Sequence, residues 1–284
     1  MAKLLSGKEV AAALDAQLAA RVEALKEKGV TPCLAIVRVG ERGDDVAYEN
    51  SAVKRCEKVG VRVEKFILPE TATQEELLRV IDEVNQSQSI SGCLLFRPLP
   101  KHMNDDVVRN ALLPQKDVDG ITNGSLAGVF AGVDKGFPPC TAQACMEILD
   151  FFGLDVSGKR AAVIGRSLVV GKPAAMMLVQ KNATVTVCHT KTKDMPSVCR
   201  EADILIVSAG RAGVIGKEYV RPGQIVIDVG INVDENGKLC GDVLFEEAEP
   251  VVEAITPVPG GVGAVTTSVL IKHVVDAASR AVSV

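Results

Sequence analysis

Apolar positions along the chain alternate between two periods. Val10, Leu14, Leu18, Val22 and Leu25 recur at helical spacing, and Gly29 follows as a stop. The stretch "CLAIVRV" (33–39) predicts a buried strand. A helix entered from Asp44–Asp45 and closed by Gly60 comes next, then the strand "VRVEKFIL" (61–68). Thr73 with Glu76 has the pattern of a capping box, opening a helix to about Gln88. "ISGCLLF" (90–96) is a further strand, and a short helix after Asn104 stops near Pro114. Strands alternating with helices imply βαβ units and a parallel sheet.

Residues 114–140 break the pattern. They are rich in Gly, Asp, Asn and Pro and predict a long functional or disordered loop. Thr141 then caps a helix to about Phe152, and a second α/β series begins, with strands near 160–165, 184–188, 203–208 and 224–229. "DENG" (234–237) reads as a hairpin turn. A last helix, about 265–282, carries Val269, Val274 and Val275 on its apolar face. The domain boundary falls within the Cys140–Gly153 helix.

A chain of 284 residues admits two domains, and with 47% apolar residues it can bury a sizeable core. Aromatics are scarce, so aliphatic side chains must fill it, as suits parallel sheets covered by helices. The net charge of −4 offers no basic stripe for nucleic acid. No apolar run is long enough to span a bilayer, and "VAAALDAQLAARVEAL" is interrupted by Asp15, Arg21 and Glu23, unlike a secretory leader. The eight cysteines form no C-x-x-C pair and lack metal-ligand spacing, which predicts reduced thiols in a cytoplasmic protein and no metal.

The second half contains a strand ending at Gly165, a turn, a helix opened by Gly171 with Pro173 in its first turn, and the strand "ATVTVCH". Glycines let the backbone approach a pyrophosphate, and a helix N-terminus supplies N–H groups to it. The stretch is not a full G-x-G-x-x-G, because Ser167 holds the second position, so a ligand-free α/β turn is the competing reading. A NAD site usually has an acidic residue at the end of the second strand. Here the chain reads His189–Thr190–Lys191–Thr192–Lys193, with Arg166 beside the first turn. Hydroxyls and cations suit a 2′-phosphate, which points to NADP, with NAD the alternative; Arg166 and Thr190 are the stronger candidates.

"ITPVPGGVGAVTTSVL" (255–270) is more specific. With "GRSLVVGKP" (165–173), "ATVTVCHTKT" (183–192), "DVGIN" (228–232), "KDVDG" (116–120) and "PLPKH" (98–102), it closely resembles the methylenetetrahydrofolate dehydrogenase/cyclohydrolase family over nearly the whole chain. The resemblance implies an α/β protein of two domains with a cleft between. Residues 1–140, completed by the C-terminal helix 265–284, would bind folate, and residues 141–264 would form a Rossmann-like NADP-binding domain. Tyr48 and Asp119 would be the catalytic residues, Tyr48 stacking near the folate and Asp119 bonding the pterin. Leu95, Pro259 and Gly260 would line the folate site. Gly165, Arg166, Ser167, Thr190, Gly210, Ile231 and Thr266 would hold the dinucleotide. The partners implied are tetrahydrofolate one-carbon derivatives and a second copy of the chain, a homodimer.

Two family positions differ. Bifunctional members carry a lysine four residues after the tyrosine, and that position is Ala52. Lys54 lies six positions on, roughly 120° around the helix from Tyr48, and is not the equivalent residue. The glutamine of the usual "VQLPLP" is replaced by Phe96, and the following leucine by Arg97. Smaller departures are "CTAQA" at 140–144 and Ala264–Val265 before Thr266. Hydride transfer needs orientation and a suitable field, whereas hydrolysis of the methenyl product needs a group that activates water and moves protons. The expectation is a dehydrogenase whose cyclohydrolase activity is weak or absent. The alternatives are a bifunctional enzyme, or a catalytically inactive folate or nucleotide sensor. Arg55 and Arg97 are the two long cations that could reach into the site, and Arg97 could instead attract the folate's glutamate tail.

Overall fold

The computed structural model describes residues 1–281. The chain forms, in order, β1 (Lys3–Leu4), α1 (Gly7–Glu27), β2 (Cys33–Val39), α2 (Gly43–Val59), β3 (Arg62–Leu68), α3 (Gln74–Gln86), β4 (Gly92–Leu95), α4 (Asp105–Ala111), α5 (Asn123–Ala131) and α6 (Cys140–Phe151). Then follow β5 (Arg160–Ile164), α7 (Gly171–Gln180), β6 (Thr184–Cys188), α8 (Met195–Glu201), β7 (Ile204–Val207), β8 (Ile225–Asp228), β9 (Asn232–Val233), β10 (Leu239–Cys240), α9 (Phe245–Ala248), β11 (Ala254–Ile255) and α10 (Val262–Arg280). Two compact units result: Ala13–Cys140 with Thr267 onward, and Met1–Ala12 with Thr141–Thr266.

The 13–140 unit holds a three-stranded parallel sheet, β3-β2-β4. Every residue of β2 is buried, as expected of a central strand covered on both faces. The apolar stripe of α3, Leu77, Ile81 and Val84, is almost wholly inaccessible, each such side chain contributing about 1.5–3 kcal/mol by burial. Both halves of the Thr73–Glu76 capping box are present. Gly60 ends α2 in the left-handed conformation, φ 88°.

The 141–266 unit is built on a six-stranded parallel sheet in the order β1-β11-β8-β7-β5-β6. The order reverses at β5: its successor β6 lies on one side and β7 on the other. In such sheets ligands bind beyond the carboxyl ends of the strands at the reversal. β9 and β10 form a separate antiparallel hairpin around the Asp234–Gly237 turn.

Several sequence expectations change. Met1–Ala12, assigned by sequence to the first domain, belongs to the 141–266 unit. The reason is β1, which pairs parallel with β11, and the hydrogen bond from Gly7 N–H to the Gly260 carbonyl at 2.9 Å. A two-residue strand is too short to leave a periodic signal. The loop expected at 114–140 contains α5, whose glycines hid it. Thr122 caps it by accepting from Ser125 N–H, and a Cβ on Gly128 would lie 2.2 Å from the Lys135 carbonyl, so close packing requires that glycine. The helix expected to be capped by Thr141 begins at Cys140, behind Pro138–Pro139. The last helix starts at Val262 and ends at Arg280; residue 282, its expected end, lies outside the described residues.

Candidate active site

In the 13–140 unit, Tyr48 projects from α2. Its ring meets Phe96 edge to face, centroids 5.9 Å apart, and its hydroxyl lies near the Thr267 side chain. Burial, with the nearby Asp119 and Cys140, pushes its phenol well up, so it stays protonated. Ala52, one turn on, is fully buried, and Phe96 is 8% exposed. Both positions are therefore closed and apolar. The Leu95 side chain packs in the apolar core of this unit, which leaves its backbone as the part that could meet a substrate.

Asp119 stands on a braced segment. Cys93 N–H donates to Lys116 O at 2.7 Å. The Asp117 carboxylate accepts from Ile121 N–H, Thr122 N–H and the Ser125 hydroxyl at 3.0, 2.8 and 2.6 Å. Gly120 has φ 71°, and a Cβ there would lie 2.4 Å from the Pro138–Pro139 backbone. Lys116 is tied to the Ser87 and Ile90 carbonyls and so pins this segment. Burial and the charge of Asp117 raise the Asp119 carboxyl to about 7, while a hydrogen bond from Cys140 and the charge of Arg97 pull it back. His273, held neutral by burial at a pKa of about 4, pairs through Nδ1 with the Val118 carbonyl at 2.8 Å. Spacing along the chain does not bring Cys140 to Asp119 or Thr267 to Tyr48; Cys140 opens the "CTAQA" stretch and Thr267 follows Thr266, the residue assigned to the dinucleotide.

The two long cations are committed elsewhere. Arg55 binds both Asp15 oxygens at 3.2 Å and the Ser268 hydroxyl, and Lys58 shares Asp15 at 3.0 Å. Arg97 makes a forked pair with Asp105. Lys54 is exposed.

In the 141–266 unit, β5 is followed directly by Gly165, φ 118°, where a Cβ would lie 2.3 Å from the Ser208 carbonyl. A Cβ on Gly171 would lie 2.2 Å from the Gly165 carbonyl, so helix α7 starts hard against the strand end. The Ser167 hydroxyl accepts from Val170 N–H at 3.1 Å and shapes the turn. Arg166, Thr190, Lys191 and Lys193 are exposed, and Arg166 has no hydrogen-bond or ion-pair partner among the described residues. The 189–192 turn is set by His189 N–H to Thr192 Oγ1, 2.9 Å, and Lys191 N–H to His189 Nδ1, 3.1 Å. The N–H of Gly210 is taken by Asp242 and is not free for a ligand. Thr266 Oγ1 donates back to the Val262 carbonyl at 3.2 Å within α10. Ile231, Pro259 and Gly260 line one 280 Å³ pocket together with Lys8. The residues nominated for folate are thus divided: Tyr48, Leu95 and Asp119 in one unit, Pro259 and Gly260 in the other.

All eight cysteines are free thiols. Among the described residues no helix is long and apolar enough to cross a membrane, and no cluster of three His, Cys, Asp or Glu could hold a metal ion.

Comparison with known proteins covers both units. Residues 5–119 match the tetrahydrofolate dehydrogenase/cyclohydrolase catalytic domain, and residues 139–282 its NAD(P)-binding domain. The chain is 53% identical to the bifunctional protein FolD of Carboxydothermus hydrogenoformans over 98% of this chain and 97% of the relative. It is similar to the crystal structure of the bifunctional FolD dehydrogenase/cyclohydrolase of Campylobacter jejuni, with a TM-score of 0.96, 40% identity and 99% of each chain covered. It is also similar to a Trypanosoma brucei methylenetetrahydrofolate dehydrogenase-cyclohydrolase solved with NADP and an inhibitor, with a TM-score of 0.92, 34% identity and coverage of 100% of this chain and 99% of that one.

Proposed function

Because the chain belongs to the tetrahydrofolate dehydrogenase/cyclohydrolase family, we propose that it oxidises 5,10-methylenetetrahydrofolate to 5,10-methenyltetrahydrofolate with NADP as acceptor. The observation that carries this reading is the closeness of Tyr48 to Asp119, whose charge acts on the phenol, beside the buried apolar side chains of Ala52 and Phe96.

The chemistry follows from the residues. Asp119, as the carboxylate, accepts N–H donors of the pterin and fixes the ring's orientation. The Tyr48 ring stacks on the folate, and its hydroxyl is steadied by Thr267. Loss of hydride leaves a cation shared by the two nitrogens that flank the one-carbon bridge, so no proton has to move. A low-dielectric wall of Phe96 and Ala52 with no ammonium facing the bridge does not oppose that developing charge.

The dinucleotide site fits the cofactor: the strand-end cradle at Gly165 and Gly171 leaves no room for a Cβ, and Arg166 stands unpartnered beside it. Gly165 and Ser167 would hold the pyrophosphate turn, and Arg166 with Thr190 the 2′-phosphate. NADP when bound supplies the hydride-accepting nicotinamide carbon. Ile231 and Thr266 would flank that end.

The relatives support a second reading for the later step. The Carboxydothermus and Campylobacter proteins are named bifunctional. At 53% and 40% identity they favour a cyclohydrolase that is retained over the loss expected from Ala52 and Phe96. In that reading Asp119, with a pKa of about 7, is the side chain fitted to exchange a proton with water.

Two assays on the purified protein separate these. Appearance of NADPH from 5,10-methylenetetrahydrofolate and NADP tests the dehydrogenase; its absence rejects the proposal and leaves a sensor. Hydrolysis of supplied 5,10-methenyltetrahydrofolate above the buffer rate selects the bifunctional reading, and hydrolysis at the buffer rate selects the dehydrogenase alone.

A further inference from the structure

Asp242 is fully buried and takes no part in the chemistry above. Its carboxylate gathers hydrogen bonds from two separate segments. Gly210 N–H and Arg211 N–H, just past β7, donate to Oδ2 and Oδ1, both at 2.9 Å. The Asn232 side-chain amide, at the start of β9, donates to Oδ1 at 2.9 Å. The Asp242 segment is itself anchored to a second buried carboxylate. Asp228, at the end of β8, accepts from Gly230, Asp242 and Val243 N–H at 2.9, 3.1 and 3.0 Å.

The packing leaves no slack around these groups. A Cβ on Gly241 would lie 1.9 Å from Asp228 Oδ2, and one on Gly230 would lie 2.4 Å from Asp242 N. Ile231, between two fastened residues, nevertheless exposes 66% of its surface. The loops after β7, β8 and β10 are thus joined at one carboxylate, and two of them carry residues assigned to the cofactor, Gly210 and Ile231. An exposed apolar side chain on an immobilised backbone is a contact surface whose position is set from below.

We propose that Asp242 is a positioning residue of the dinucleotide site, fixing the spacing between the 210–211 loop and Ile231 without touching the ligand. The inference rests on the dinucleotide reading of this unit. It deepens that reading by assigning cofactor affinity to a group beneath the site.

The test is NADPH binding to the full-length protein, followed by the fluorescence of the reduced nicotinamide, together with steady-state kinetics. Wild-type protein that fails to bind NADPH overturns the dinucleotide reading itself. In Asp242→Asn one acceptor oxygen becomes an N–H donor facing a backbone N–H. Loss of one charge-assisted bond predicts an NADPH Kd and an NADP KM raised about tenfold or more. The KM for the folate substrate and kcat at saturating NADP should stay within about threefold, a split that general loosening would not produce. Asn232→Ala removes a single arm and predicts a smaller rise in the same two quantities; it decides the matter if Asp242→Asn does not fold. NADPH binding as in the wild type, or a parallel rise of both KM values with a fall in kcat, overturns the inference.

Discussion

The ring of Tyr48 and the ring of Phe96 stand edge to face at 74°, centroids 5.9 Å apart. Such a pair holds the tyrosine by its quadrupole and dispersion contacts, with no hydrogen bond from the neighbour. A glutamine in that position would hold it by a polar contact and could also touch water.

The double substitution Ala52→Lys with Phe96→Gln tests what that apolar wall does. Where the wild type hydrolyses the methenyl substrate at the buffer rate, the double variant is expected to gain about 10²-fold or more. A lysine inserted at a fully buried position should also lower stability, by about 1–3 kcal/mol, read from the thermal midpoint. A variant no faster than such a wild type would mean that the lysine and glutamine do not by themselves supply the water step.

With Asp119 as the proposed pterin acceptor, folate binding is expected to depend on pH. Its carboxyl is raised to about 7, so the ionised, pterin-accepting form is lost as pH falls through that value. The KM for 5,10-methylenetetrahydrofolate is expected to climb below about pH 7 while NADPH binding stays level. The stability effect has the opposite sense. Between the ordinary carboxylate range near 4 and about 7 the folded state holds more protons than the unfolded, so stability falls as pH rises across that window. Asp119→Asn should therefore melt higher than the wild type at pH 8 and lose on the order of 10–100-fold in kcat/KM. A melting temperature that drops in Asp119→Asn would contradict the burial argument.

Arg166→Ala removes an unpartnered guanidinium from the β5 turn. The KM for NADP should rise about 10–100-fold through loss of a charge-assisted phosphate contact, with the rate on NAD unchanged. Equal losses on both cofactors would move the 2′-phosphate site away from Arg166.

Arg55→Gln separates structure from chemistry. It removes one partner of Asp15, a carboxylate 4% exposed that Lys58 and Ser268 still contact. The expected outcome is a loss of stability of about 1–3 kcal/mol, read as a lower thermal midpoint, with the dehydrogenase and hydrolysis rates unaltered. A selective fall in hydrolysis would make Arg55 a participant.

Much of this molecule is legible in its residues. The helix from Gly43 to Val59 announces itself through acidic residues at its start and Gly60 at its end, and β2 through an unbroken run that packs on both faces. Local rules suffice there because the determining contacts are neighbours in sequence. They fail for β1, which exists only through its pairing with β11, some 250 residues away, and for α5, where two glycines lower helical propensity and tertiary packing restores it. The site divides the same way. Tyr48, Asp119 and Arg166 sit in recognisable motifs. The support from Cys140, Thr267 and Asp242 arises from close approach across the fold, which spacing along the chain does not encode. Leu95 is the reverse case, a residue named by its motif whose side chain packs in the core.

The chain passes from one unit to the other inside three helices, α1, α6 and α10, because residues 1–12 belong with 141–266 and residues from 267 belong with 13–140. No single cut yields two self-sufficient fragments. A clone ending at 140 would carry an orphaned strand and lack its closing helix, and its complement would have the reverse defects. Dissection by truncation, the ordinary route to studying one ligand at a time, is closed for this protein, and circular permutation does not reopen it, because the four segments alternate between the units wherever the chain is cut.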